Sequence, residues 1–76
     1  MLYTIILFVI DKKTKMRKMI SGSGSSVDEA VKEIENLGFL KNEYKAFINE
    51  SFYVENTYFF ENGNNQCKEV WFANRK

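Results

Sequence analysis

Residues 11–38 read DKKTKMRKMISGSGSSVDEAVKEIENLG, and the way this stretch divides decides the fold. Its first part sets Lys12, Lys13, Lys15, Arg17 and Lys18, five basic side chains, into seven positions. Asp11-Lys12-Lys13-Thr14 reads as a turn. From Lys15 to Ser21 the chain alternates, with Met16, Lys18 and Ile20 on one side and Arg17, Met19 and Ser21 on the other. That period of two predicts the return strand of a hairpin. Gly22-Ser23-Gly24-Ser25 reads as a flexible loop, and Ser26-Val27-Asp28-Glu29 fits a capping box. There the Ser26 hydroxyl accepts from the Glu29 amide while Glu29 reaches back to the cap amide. Val27, Ala30, Val31, Ile34 and Leu37 fall on one face at helical spacing, and Gly38 suits the residue just past a helix end. The pattern predicts a helix over 27–37.

Working outward, Leu2–Ile10 is rich in β-branched and aromatic residues and predicts a central strand buried on both faces. A membrane span needs about 20 apolar residues. A signal peptide carries its positive charge before the apolar run, whereas Lys12 and Lys13 follow it. Residues 42–50, NEYKAFINE, fit either period: Leu40, Tyr44, Phe47 and Ile48 share a helical face, and Tyr44, Ala46 and Ile48 a strand face. Phe52–Phe60 predicts a strand with Tyr53, Thr57 and Phe59 on one face and Phe52, Val54, Tyr58 and Phe60 on the other. A turn over 61–65 with Asn-Gly at its centre leads to a strand over 67–73. The expectation is a single α+β domain over 1–76. It holds a small antiparallel sheet of about four to five strands, ordered ββαβββ or ββααββ, with one main amphipathic helix packed on one face.

A chain of 76 residues sits near the lower limit for burying a core. Seven Phe, four Tyr and one Trp supply the apolar area. The single Cys67 and the absence of His leave no disulfide, no multi-thiolate metal site and no His base for a nucleophile. No dinucleotide, Walker-type or calcium-loop motif is present. The residues therefore point away from an enzyme, call for no metal or cofactor, and suit a cytoplasmic protein with one free thiol. Net charge is only +1, but it is unevenly spread. Residues 1–25 hold five basic and one acidic side chain, and residues 26–69 hold four basic and nine acidic ones. Such a dipole orients partners.

The stretch GSSVDEAVKEI, residues 24–34, is similar to the helix entry of HicB-type antitoxins, where a hairpin also precedes the helix. The similarity covers a capped amphipathic helix and assigns no family.

Three functional expectations follow. A protein-binding module, homodimeric and built on an aromatic sheet face, would use Tyr53, Phe59 and Trp71 for contact and Lys12, Lys15 and Arg17 for orientation. Its size and composition suit a phage or mobile-element accessory protein, such as an inhibitor of a host factor. Alternatively, a nucleic acid would lie along Lys12, Lys13, Lys15, Arg17 and Lys18, although a near-neutral chain is unlike most binders of this kind. A small anionic ligand on the 21–26 loop is the third, and Asp28 and Glu29 oppose it.

Overall fold

The computed structural model describes residues 2–44 and 46–61, and the backbone of 66–71. Seven elements follow in order: β1 (Tyr3–Asp11), β2 (Arg17–Gly24), α1 (Val27–Asn36), β3 (Leu40–Lys41), β4 (Phe47–Ile48), β5 (Phe52–Glu61) and β6 (Gln66–Trp71). The main sheet is antiparallel with strand order β2-β1-β5-β6, and β3 and β4 form a small separate ribbon. The expected α+β class and an antiparallel sheet with one main helix on a face are present, while the order of elements among the described residues is ββαββββ rather than ββαβββ or ββααββ. The turn over 62–65 and residues 72–76 lie outside the described residues.

β1 is central, paired to β2 on one side and β5 on the other. The expected burial of both its faces does not hold. Ile5, Leu7 and Val9 are fully buried under α1, whereas Phe8 on the opposite face is 39% exposed. One ten-residue helix over β2 and β1, together with the segment carrying Phe39 and Phe47 beside β5, covers one face of this sheet. Ala30, Val31 and Ile34 of α1 meet Ile5, Leu7, Val9, Val54 and Phe59 in a common core.

The glycines of β2 allow that packing. Gly22, Ser23 and Gly24 are strand, not part of the expected flexible loop over 22–25. Register places Gly22 opposite Ile5 and Gly24 opposite Tyr3, on the helix side. A Cβ on Gly22 would lie 2.9 Å from both the Ala30 carbonyl oxygen and Glu33 Cβ. On Gly24 it would run into Glu29 Cβ and stand 3.0 Å from the Ala30 amide nitrogen. Glycine serves here as a seat for the helix backbone.

Both ends of α1 follow from local chemistry. Ser26 Oγ accepts from the Glu29 amide at 3.2 Å, as a capping box requires. The return arm differs from expectation: Glu29 Oε1 accepts from the amide and hydroxyl of Ser25, at 2.8 and 2.9 Å, rather than from the cap amide. At the other end Gly38 takes φ +96°. Its amide donates to Glu35 O at 2.9 Å, and the Phe39 amide donates to Ile34 O at 3.4 Å, which closes a Schellman motif.

Residues 42–50 form neither the helix nor the full strand that their pattern allows. Asn42 Oδ1 accepts from the amides of Tyr44 and Ala46, at 2.9 and 3.2 Å, and so folds the chain back on itself. The resulting β3–β4 ribbon carries Phe47 into the core, where it and Phe39 are essentially unexposed. Local side-chain bonding by Asn outcompetes either regular element here.

A bulge sets the faces of β5. Phe8 pairs with Asn56 and Val9 with Val54, so Glu55 is the extra residue. Alternation changes phase there. Phe52, Val54, Thr57 and Phe59 consequently face the helix side, where Val54 and Thr57 are fully buried. Tyr53, Asn56, Tyr58 and Phe60 face the other way. The faces expected from strict alternation are thus corrected for Thr57 and Phe59, and for Phe52 and Val54.

Candidate interaction surface

The uncovered sheet face carries Ile6, Phe8 and Ile10 from β1, Tyr53, Tyr58 and Phe60 from β5, and Met19 from β2. Among the described residues nothing covers it. Phe8 and Tyr58 meet edge to face at 5.8 Å between ring centroids, and Tyr58 and Phe60 lie 6.4 Å apart. Met19 is 63% exposed. Strand rise and spacing make the face of β2, β1 and β5 about 30 by 14 Å, or roughly 400 Å². Its apolar residues share that area with Thr4, Arg17, Ser21, Ser23 and Asn56, and contiguous apolar surface of this kind commonly serves contact.

The basic hairpin sits at one end of this face. Asp11 holds its turn, since Oδ1 accepts from the amides of Lys13 and Thr14 at 2.7 and 3.0 Å. Lys15 adopts φ +64°, and its amide donates to the Asp11 carbonyl at 2.9 Å. Four of the five cations then divide. Lys12 Nζ stands 4.9 Å from the Tyr53 ring centroid and Lys15 Nζ 6.0 Å from it. Arg17 Nε pairs with Glu55 Oε1 at 3.3 Å. Lys18 turns to the helix side, 5.6 Å from the Phe52 ring.

The fold therefore brings together Lys12, Lys15, Arg17 and Tyr53 of the expected contact set. Phe59 does not join them, because it is buried in the core on the opposite face of the sheet and stacks on Tyr3 at 5.8 Å. The side chain of Trp71 lies outside the described residues. The expected nucleic-acid set is split between two faces by Lys18. Sequence reading missed Phe8, Ile6, Ile10 and Met19, although one short helix over a wide sheet already implies a bare face. On the 21–26 stretch, Ser25 is bonded to Glu29, and the Ser23 amide donates to Glu33 Oε1 at 3.4 Å. An anion there would meet two carboxylates.

The cap and the turn give an acid dependence. Asp11 is held below the ordinary 3.8, chiefly by the Thr14 amide and then by that of Lys13. Glu29 is held below the ordinary 4.5 by the Ser25 amide and then its hydroxyl. A carboxyl depressed on folding stabilises the native state above its unfolded pKa, and that stabilisation fades as pH falls through the folded value. Stability is expected to decline below about pH 4. In urea titrations at stepped pH, Asp11→Asn and Glu29→Gln should each flatten that decline. Parallel slopes in wild type and variants would remove these groups from the account.

No helix among the described residues is long and apolar enough to cross a membrane. Compared with protein families, curated proteins and solved structures, the chain matches none.

Proposed function

We propose that this chain is a non-enzymatic binding module whose uncovered sheet face receives another protein. The observation that carries the reading is the apolar strip of Ile6, Phe8, Ile10, Tyr58 and Phe60 on the side away from the helix, which nothing covers among the described residues. The partner's chemistry follows from the surroundings of that strip. An apolar surface with acidic side chains at one border would lie on the strip and meet Lys12 and Lys15. Aromatic anchors at the centre of such a contact carry most of its energy.

Phe8→Ser tests this, because Phe8 is exposed and its loss leaves the core intact. Tagged chain expressed in its native cells is expected to retain a co-purifying protein in wild type and in Glu35→Lys, on the helix surface. Phe8→Ser should weaken that association by roughly 30-fold, a typical hot-spot loss. Retention equal to wild type would contradict the reading.

The convergence of Lys12 and Lys15 on Tyr53, on the same sheet face as Tyr58 and Phe60, favours a second reading, single-stranded nucleic acid. It requires a mobility shift with mixed single-stranded DNA or RNA that weakens steeply as salt rises. Its loss in Lys12→Glu and Lys15→Glu would support it. No shift at low salt would end it.

A further inference from the structure

The outer edge of β2 accounts for its backbone groups in an uneven way. Asp11 N donates to Met16 O at 2.9 Å, which fixes the hydrogen-bonding phase of the β1–β2 ladder. Pairs that exchange hydrogen bonds recur every second residue from there. Lys18, Ile20, Gly22 and Gly24 thus turn their amides and carbonyls toward β1. Arg17, Met19, Ser21 and Ser23 turn theirs outward, at the edge of the sheet. Beyond the strand, the Ser25 amide also bonds outward. Two of these outward amides are already taken, Ser23 by Glu33 and Ser25 by Glu29, one helical turn apart on α1. The carboxylates close the edge at that end. The open part is Arg17 to Ser21, where Arg17, Lys18, Met19 and Ser21 are all exposed.

We infer that this open edge pairs with the same edge of a second copy, joining two sheets into one across β2. Antiparallel pairing about Met19 sets Met19 against its own copy and Arg17 against Ser21 in both directions. This register engages all the open outward groups and puts no like charges directly opposite. It also explains why the occupant is a second copy. Continuing the same register, the turn carrying Lys13 and Lys15 comes to lie at the Ser23–Ser25 end of the partner, where Glu33 and Glu29 stand. The basic hairpin of each copy thus meets the acidic helix start of the other, twice by symmetry. Lysines that guard a sheet edge against arbitrary pairing become the contacts that select this one. The uncovered faces of the two copies then run side by side, with the two Met19 side chains at the seam. This contact uses Met19 and Lys15 from the border of the face assigned to a partner protein but leaves Phe8, Tyr58 and Phe60 outside it, and it stands without that reading.

Sedimentation equilibrium of the full chain at low and moderate salt is the test. Wild type should sediment at twice the mass of one chain, with association weakening as salt rises. Met19→Pro removes an outward amide that β1 does not use and should leave a folded monomer, checked by circular dichroism. Lys15→Glu and Glu33→Lys should each raise the dimer dissociation constant by about tenfold, and combining them should restore it to near wild type. Phe8→Ser should dimerise normally, so its failure to hold a partner protein is read separately. A monomeric wild type, or a dimer indifferent to Met19→Pro and to the charge exchange, would overturn the edge pairing. A dimer lost in Phe8→Ser alone would overturn it too.

Discussion

Gly24→Ala is expected to lower stability by about 3 kcal/mol, the upper range for overpacking a filled site. In a chain this short the melting temperature falls by roughly 12 to 24 °C. The added methyl group meets Glu29 Cβ and the backbone of α1, and neither is the free end of a flexible side chain. The helix must lift from the sheet or the strand must bend. Gly22→Ala should act in the same direction, since its methyl meets the Ala30 carbonyl and Glu33 Cβ at 2.9 Å. The sign is informative. Were Gly22-Ser23-Gly24-Ser25 a flexible loop, alanine would restrict the unfolded chain and add about 0.4–1 kcal/mol of stability. Ser23→Ala is the control, because its side chain points to the opposite face and shares one hydrogen bond with Thr4 at 3.1 Å. Thermal melts of the three variants separate a helix seat from a linker.

Phe47→Ala carries the other large effect, a loss of about 4 kcal/mol. A chain of this length has only about 4–11 kcal/mol in total, at 0.05–0.15 per residue. The variant should therefore be partly unfolded without denaturant. Phe47 belongs to a two-residue strand held by an Asn42 turn, yet it is as buried as the centre of β1. Phe8→Ala, on the uncovered face, should cost on the order of 1 kcal/mol, in proportion to the smaller area it removes from water. Urea unfolding of both variants reads the contrast. Equal losses would mean that both faces are packed.

The elements legible in the sequence are those fixed by local chemistry. The helix runs Val27–Asn36 against an expected 27–37, because its apolar spacing, its Ser26 cap and Gly38 all act within a few residues. The β1–β2 hairpin and the faces of Arg17, Lys18, Met19 and Ile20 were legible too, since strict alternation survives in β2. What was not legible depends on contacts distant in sequence. The glycines of β2 look like a linker until α1 is laid across them. The bulge at Glu55 has no sequence mark, yet it moves Phe59 from the expected contact face into the core. Residues 42–50 remained ambiguous because their outcome rests on the Asn42 side chain and on a vacancy for Phe47 at the end of the core. Of the candidate surface, the basic cluster was visible and its division was not. Tyr53 is the aromatic that both readings share.

Among the described residues the sheet has one covered face and one uncovered face, and the proposed contact surface depends on that difference. Fluorophenylalanine labelling with ¹⁹F NMR, in the presence of a soluble paramagnetic probe, tests this at single rings. The measurement is made at a concentration where the chain is monomeric. Phe8 should relax strongly as the probe is added, while Phe47 and Phe39 should remain nearly unaffected. A Phe8 signal as protected as that of Phe47 would mean that the face is covered, and the proposed contact surface would fall with it.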